Sequence, residues 1–531
     1  MTRIFGALPC SFAYPFPVSD TVILLLFAMG ALSPLLTFAH LWQVKEWRLD
    51  RLIDHFHSEG VLRKLLGVLR VPIVAAMLLF ASAGILSPLF ATQGALSILA
   101  LLLIVQLCLW RQPMPVWTSK AKMIVGGSVL LTLIIGILVQ QLWSGILLPC
   151  IILLQPFSVI FIWSLLLPID TFLKRRILYR AKALREAQSN LIVIGITGSM
   201  GKTTTKELIA CALGETAVAT PAYVNSEIGV ARWMIQTLTP DPSPRGRGEV
   251  LIIEMGAYRR GEIALLCSIA KPQIGVVTAI GTQHIALFGS QEELLAAKGE
   301  LIEALPENGR AFINVDSTMA GKLQKNALCP VTTVGTGGVR DLEAFDIEET
   351  PHGIRFRVGE TIFTLPLHGT HNVTNVLLAI AVGEHLGIQR SVIAERLSRF
   401  QPLKGTFSIE EHAGVTILND THNCSPESAR AAIRWAESKH AAEKVLLTSG
   451  IIEQGSATEH VHQELGKQSV PVFTRVIFLN KKFAQFFAQG FGKNVELFSK
   501  EIAPVKPGTL LVCLGRMPRS AMERLLPDNS C

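Results

Sequence analysis

The chain has 531 residues, 50% hydrophobic and only 17% charged, with a mean hydropathy of +0.41. That balance excludes a disordered chain and a wholly soluble one, and at about 150 residues per domain the length allows roughly three or four domains. The net charge of +8 would suit a nucleic-acid partner, but residues 1–190 carry 16 basic and 7 acidic side chains against 33 and 34 in the remainder; the positive charge belongs to the apolar N-terminal part, and no nucleic-acid partner is expected.

Five apolar stretches, at about 21–42, 71–91, 94–110, 123–142 and 146–168, fit the ~17–25 residues that a helix needs to cross a lipid bilayer. None contains Lys, Arg, Asp or Glu, and His40 and Gln106 are the most polar members of the early spans. Intramembrane charges mark ion and substrate pathways, so their absence favours an anchor over a transporter. Lys45, Arg48, Arg51, Arg63, Lys64 and Arg70 fill one connecting segment, Arg111, Lys120 and Lys122 another, and Lys174 to Arg185 follow the last span. The segments near Thr92 and Ser144 carry no charge. By the positive-inside rule the N-terminus lies outside the membrane and everything after Asp170 is cytoplasmic. Residues 1–20 lack the apolar core and small-residue cleavage site of a secretory signal. Trp47, Leu49, Leu52, Ile53 and Phe56 recur at helical spacing among charges, which suits either a helix lying on the inner leaflet or an ordinary connector. Nine cysteines without a CxxC pair are expected to be free thiols in a reducing cytosol, with no zinc.

From Leu191 onward β-branched runs alternate with helical patterns: LIVIGIT, Lys202–Leu213, VLIIEMG, Glu262–Ala270, IGVVTAI, Glu292–Ala304 and AFINV. This predicts an α/β domain with a mainly parallel sheet. Hairpin-like alternation over Ile347–Leu367 and a helical stretch over Asn372–Leu386 follow, and a second α/β alternation begins near Val415. The predicted organisation is a multi-pass helical membrane region over 1–170, a basic tether over 171–189, an α/β domain over 190–400 that opens on a glycine-rich loop (P-loop) after its first strand, and a smaller Rossmann-like α/β domain over 401–531, with Gln401–Gly405 as linker. The Pro-, Gly- and Arg-rich run Thr239–Glu249 reads as a surface insertion.

The strand LIVIGIT runs into GSMGKTTTKE and then a helix, the context in which a glycine-rich loop wraps a nucleotide triphosphate. Gly198 and Gly201 let backbone N–H groups approach the phosphates, Lys202 can reach the β- and γ-phosphates, and the Thr203 hydroxyl can coordinate magnesium. Ser199 and Thr204 complete the candidate loop, which is a variant because Ile196 stands where the common pattern has glycine.

TGSMGKTTTKE resembles the nucleotide loop of the Mur ligases, ATP-dependent amide-forming enzymes of peptidoglycan synthesis. NSEIGV at 225–230, IIEMGAYRRGEI at 252–263, IGTQH at 280–284, AAKGELIEALP at 296–306, HGTHNVTN at 368–375 and NDTHNCSP at 419–426 extend the resemblance, in order, to the end of the chain. It is strongest to the branch that adds D-alanyl-D-alanine to a UDP-linked muramoyl tripeptide. The resemblance implies ATP and Mg2+, an ADP-forming acyl-phosphate mechanism, and a cell-wall precursor and an amino acid or dipeptide as substrates. It makes Glu254 a magnesium ligand, where the residues alone also allow a Glu merely leaving a strand. It makes His284 a ligand of a second magnesium and Lys298 a carbamylated lysine that helps position the metal; unaided, Lys298 reads equally as a surface lysine. Asn372 and Asn375 match residues near the nucleotide, although Asn372 would also suit a helix N-cap, and Asp420 matches a C-terminal-domain carboxylate that meets ATP.

Three departures stand out. The membrane spans occupy the place of the family's UDP-binding domain, so the precursor is expected to be UDP-linked or lipid-linked. Thr406 follows Gly405 where the family often has Arg, leaving phosphate contact weakened or passed to Lys404. Asn419, His422, Cys424 and Ser425 stand where the D-alanyl-D-alanine ligases usually carry Asp, Tyr, Ala and Asn. Competing functions are a poly-γ-glutamate synthetase-like ligase, an inactive nucleotide-binding scaffold and an ATP-driven transporter; charge-free spans and the lack of an LSGGQ-type signature weigh against the last.

Overall fold

A computed structural model describes residues 19–49, 52–53, 69–143, 145–222, 224–239, 249–281, 288–338, 340–350, 352–403, 405–422, 424–452, 454, 457–499 and 501–527. Contacts divide the chain into two units, Met1–Leu173 and Lys174–Cys531.

Among the described residues of the first unit, three helices are each long and apolar enough to cross a membrane by length and composition: Asp20–Val44, Pro88–Cys108 and Ser119–Trp143. A fourth, Gln155–Glu186, starts there. Arg70–Ser82 is apolar but has only 13 residues. The expected stretches at 71–91 and 94–110 are therefore divided differently. The first helix stops at Ser82, Gly84 takes a left-handed φ of +67°, and Ser87 accepts a hydrogen bond from Phe90 N to start a new helix whose first residue is Pro88. Uniform apolar composition conceals this break. The stretch at 146–168 is likewise two helices, Leu148–Leu153 and Gln155–Glu186, and the second continues through the expected tether. Phe38, Trp42 and Trp47 are buried and cluster with the partly buried Trp163, whose ring centroid lies 4.8 Å from that of Trp42. Of the residues read as an interfacial helix, Trp47 and Leu52 are buried, Leu49 and Ile53 are exposed, and Phe56 lies outside the described residues.

The second unit has three sheets among the described residues. The largest is wholly parallel, in the order β2-β3-β1-β4-β5-β6-β7. Its strands are β1 Ile192–Thr197, β2 Ala217–Ala219, β3 Val250–Glu254, β4 Ile274–Val277, β5 Arg310–Asn314, β6 Val331–Gly335 and β7 Leu342–Glu343. Both faces are covered: Val193, Leu251 and Ile253 enter one core, Ile194, Ile196 and Ile252 the other. That double burial is why these strands read as unbroken apolar runs. An antiparallel sheet of β8 Phe345–Thr350, β9 Gly353–Val358 and β10 Thr361–Leu365 leads into helix Val373–His385.

The last sheet runs β11-β12-β16-β13-β14-β15, parallel except for the edge strand β11 Ser408–His412. The other strands are β12 Val415–Asp420, β13 Glu443–Thr448, β14 Arg475–Phe478, β15 Glu496–Leu497 and β16 Thr509–Leu514. Most of the Thr239–Glu249 insertion lies outside the described residues.

Beside this sheet, helices Thr458–Ser469 and Lys481–Phe491 approach so closely that a Cβ on Gly490 would lie 1.9 Å from the Gln463 carbonyl oxygen, and one on Gly466 2.3 Å from that of Phe487. Neither backbone oxygen can yield without moving its helix. Gly490→Ala is therefore expected to destabilise this domain by roughly 1–3 kcal/mol, the range for overpacking. An unchanged urea midpoint for the C-terminal domain would contradict the close packing.

Candidate active site

The parallel register of β1 and β3 pairs Ile196 with Glu254, so the carboxylate stands beside the loop that leaves β1. Ligands of open α/β sheets bind at this carboxyl edge of the strands. The loop is braced from β4: Ser199 N and Met200 N both donate to Ala279 O, at 2.8 and 3.2 Å. Gly198 has φ +148°, and a Cβ there would lie 2.0 Å from Thr278 Oγ1. Gly201, at φ +78°, precedes helix Lys202–Leu213, whose first-turn N–H groups have no intrahelical acceptor and point out of its start.

Thr203 Oγ1 donates to Glu254 Oε2 at 2.9 Å, and Asn225 Nδ2 donates to Glu254 Oε1 at 3.2 Å. Lys202 folds back on the loop, donating to the Gly198 and Ser199 carbonyls at 2.9 and 3.0 Å. Its burial lowers the ammonium pKa, an effect that Glu254 opposes. Lys298, in helix Gln291–Glu303, is a buried residue of the same cleft and not a surface lysine. Burial, with Lys202 nearby, lowers its pKa to about 7, against the opposing pull of Glu262, Glu300 and Glu254.

Asn372 belongs to a short turn before helix Val373–His385 and makes no cap hydrogen bond. Its amide instead donates to His368 O at 2.8 Å, and its Oδ1 accepts from Asn375 Nδ2 at 2.9 Å. Asn375 Oδ1 accepts from Thr205 at 3.2 Å, tying this helix to the start of the loop helix.

Asp420 ends β12 and is buried. Its carboxylate accepts from Phe407 N and Ser428 Oγ, and burial raises its pKa against those bonds. Loop and C-terminal domain touch where Ser425 Oγ meets the Met200 thioether. The carboxyl edges of the two parallel sheets thus line one cleft of about 320 Å3. Lys202, Thr203, Thr204, Glu254, Lys298, Asn372, Asn375 and Asp420 all face it. His284 and Lys404 lie outside the described residues.

Three cleft-associated features escape motif reading. Lys206 is wholly buried, donates to Thr220 O at 2.7 Å and lies 3.8 Å from Glu254 Oε2, a fixed cation behind the carboxylate. His371 packs edge-on to Phe407 with centroids 4.9 Å apart, and burial lowers its pKa to about 4, so the ring is neutral. Arg434 reaches the cleft, which Thr406 also lines, from helix Pro426–Glu437, near enough to His371 to lower its pKa further. Lys206 lies inside TTTKE and His371 inside HGTHNVTN, but neither motif singles them out, and nothing in the sequence points to Arg434.

The site fits a nucleotide triphosphate and a hard cation. Ser199 Oγ is buried without a hydrogen-bond partner in the loop, and Gly201 leaves a cradle that a Cβ would fill, 2.5 Å from Asn375 Oδ1. Among the described residues no group of three or more His, Cys, Asp or Glu could hold a metal. Magnesium does not require one, because it takes one or two carboxylates together with phosphate oxygens and water, and Thr203 with Glu254 offers such a pair.

Residues 196–383 match the Mur ligase middle domain. The UDP-N-acetylmuramoyl-tripeptide–D-alanyl-D-alanine ligase of Bacillus subtilis is 34% identical over 310 residues, covering 57% of this chain and 66% of its own length. This chain carries a Mur ligase middle domain. It spans about half to two thirds of the length of the curated relatives it matches. The MurF ligase of Thermotoga maritima, solved in complex with ADP, is 27% identical with a TM-score of 0.57, covering 66% of this chain and 82% of that one. MurF from Acinetobacter baumannii shares the fold at 23% identity and a TM-score of 0.59, covering 66% and 80%. The matched middle domain includes the loop, Glu254, Lys298 and the Asn372–Asn375 pair.

Gly201→Ala is expected to weaken nucleotide binding by about tenfold or more, because the side chain fills the cradle and φ is left-handed. Titration with a fluorescent ATP analogue measures it, and wild-type affinity would contradict the geometry.

Proposed function

We propose that the protein is a membrane-anchored, ATP-dependent ligase that joins an amino acid or dipeptide, foremost D-alanyl-D-alanine, to the peptide of a peptidoglycan precursor. The convergence of Lys202, Thr203 and Glu254 at one sheet edge, with the Lys298 amine beside them and Asp420 opposite, carries the reading. The names of the relatives support the donor, and the ADP complex of the Thermotoga maritima ligase supports ATP as the phosphoryl source.

Making an amide from a carboxylate requires activation of that carboxylate by phosphoryl transfer, and charge builds on the moving phosphoryl group. Lys202 would leave the loop carbonyls to meet that charge, while the first-turn N–H groups hold the phosphates in place. Thr203 and Glu254 would hold magnesium, which neutralises phosphoryl oxygens when bound. His284 is proposed for a second ion by family resemblance. Lys298, titrating near 7, can present the neutral amine that carbamylation requires. The neutral His371 ring, the Asn372–Asn375 pair and Asp420 would surround the nucleotide, and the incoming amine would meet the part of the cleft lined by His422 and Ser425.

Anchoring is supported by the apolar surface of the first unit. Leu79, Phe157 and Phe172 are each more than 60% exposed, and only 11% of the most apolar window of Gln155–Glu186 is buried. Water would penalise such a surface, whereas a bilayer would not. The proposed setting is a bacterial inner membrane with the ligase domains cytoplasmic, acting on a lipid-linked or UDP-linked precursor.

Lys202→Ala is expected to abolish ATP turnover while leaving membrane association intact. Undiminished amine-dependent phosphate release, assayed with D-alanyl-D-alanine and a muramoyl-tripeptide acceptor, would remove the proposal. For Lys298 the sign is set by its depressed pKa: the neutral amine gains population as pH rises through about 7, so activity at limiting bicarbonate should rise across that window. Lys298→Ala should lose the activity and regain part of it with small added carboxylates. A pH profile identical to wild type would return Lys298 to a packing role.

A further inference from the structure

Helix Pro426–Glu437 of the C-terminal domain lies along one wall of the cleft, and Ser428, Ala431 and Arg434, spaced three residues apart, all line it. The helix touches the middle domain at both ends. At its start Ser425 Oγ donates to the Met200 thioether of the nucleotide loop at 2.7 Å, and in the first turn Glu427 packs so close to Gly281 that a Cβ there would lie 2.9 Å from the Glu427 carboxyl carbon. In the last turn Trp435 Nε1 donates to Glu349 Oε1 of β8 at 3.1 Å, across 86 residues of chain. Ser425 and Trp435 stand about 15 Å apart along the helix, and a rod pinned at both points cannot pivot over the cleft.

Glu349 is tied to the opposite wall as well. Gly369 N donates to it, 3.1 Å from each carboxylate oxygen, and His368 Nδ1 lies 3.1 Å from Oε1. Gly369 opens the turn that carries His371 and Asn372 to the cleft; its φ is +85°, and a Cβ on it would collide with the His371 ring. Trp435 is buried edge-on against Phe407 and His368, with ring centroids 6.4 and 6.2 Å away, and Phe407 in turn packs on His371. Glu349 itself does not line the cleft.

An indole N–H is a donor only, and once buried it needs an acceptor. The carboxylate supplies one in a charge-assisted bond. Burial alone would raise the Glu349 pKa, but the bonds from His368, Gly369 and Trp435 outweigh it and hold the group below the usual carboxylate range, which keeps it ionised. One anion thus accepts from both walls.

We propose that Glu349 and Trp435 are positioning residues: their hydrogen bond holds helix Pro426–Glu437 against the turn 368–372 and so fixes Arg434, and Ser428 with its bond to Asp420, at a set distance from His371 and Asn372. Both act through these neighbours and touch no substrate. The inference rests on the reading of the cleft as a nucleotide site and adds to it the contact that sets its width.

Trp435→Phe keeps the ring and removes the N–H. In a titration of the full chain with a fluorescent ATP analogue it should weaken binding about tenfold, the scale of a hydrogen bond to a charged group. In amine-dependent phosphate release the KM for ATP should rise by the same factor while kcat stays within about twofold, because Lys202, Thr203 and Glu254 are untouched and the lost binding is common to ground and transition states. Glu349→Gln, which keeps an acceptor oxygen without the charge, should fall between wild type and Glu349→Ala. The double variant Trp435→Phe/Glu349→Ala should bind no more weakly than Glu349→Ala alone, since the two residues act through one bond. Additive losses in the double variant, or wild-type affinity in Trp435→Phe whatever its urea midpoint, would overturn the proposal. Should Glu349→Ala fail to fold, the same cycle with Glu349→Gln decides it. A wild-type chain that does not bind the analogue would overturn the nucleotide reading instead.

Discussion

The pairing of β1 with β3 is the constraint on which the catalytic half depends. Parallel neighbours in register set Glu254 opposite Ile196, two residues before the first loop glycine, and the loop then has one way to turn that brings Thr203 within hydrogen-bond reach of the carboxylate. A shift of one residue would send Glu254 to the other face of the sheet, because side chains alternate along a strand. The two apolar cores that grip the sheet exclude that slip, so packing remote from any reacting atom decides where a cation could be held.

Charge around that junction is arranged in layers. Glu254 faces the cleft with Thr203 and Asn225 on its oxygens, and Lys206 lies behind it, buried and bonded to the Thr220 carbonyl. Lys202 sits close enough to Lys298 to disfavour its proton, and burial acts on both lysines in the same direction. A polyanion entering the cleft would relieve that crowding, which is the electrostatic reason such a site favours phosphate over water. Across the cleft Asp420 is held by a backbone amide and Ser428, and Arg434 adds positive charge from a helix that starts just beyond it.

The N-terminal unit solves a different problem. Its helices expose apolar side chains outward, while Ser33 and Gln112 are buried and bond each other at 2.8 Å, and the Thr132 hydroxyl bonds the buried Gln155 at 2.8 Å. Where the chain is not helical, as over 112–116, side chains take the part that a neighbouring strand would play. A polar residue in an apolar span is then less a defect than the price of an irregular segment.

The sequence by itself determined the order of elements, the parallel character of the sheets and the nucleotide loop, because these depend on local periodicity and on glycines at fixed spacing. The division of charge between the halves was equally legible, being a matter of composition. Helix ends in the apolar region were not, since Gly84 and the Ser87–Pro88 start break a run that hydropathy reads as continuous. The role of Asn372 was left between cap and ligand site; it stands at the N-cap position of helix Val373–His385, but its side chain bonds Asn375 and the His368 carbonyl instead of capping the helix. The places of Lys206, His371 and Arg434 at the cleft were set by tertiary structure. Lys206 meets the Thr220 carbonyl across 14 residues of chain and His371 meets Phe407 across still more, a convergence that strand register and helix packing bring about and that no local pattern encodes.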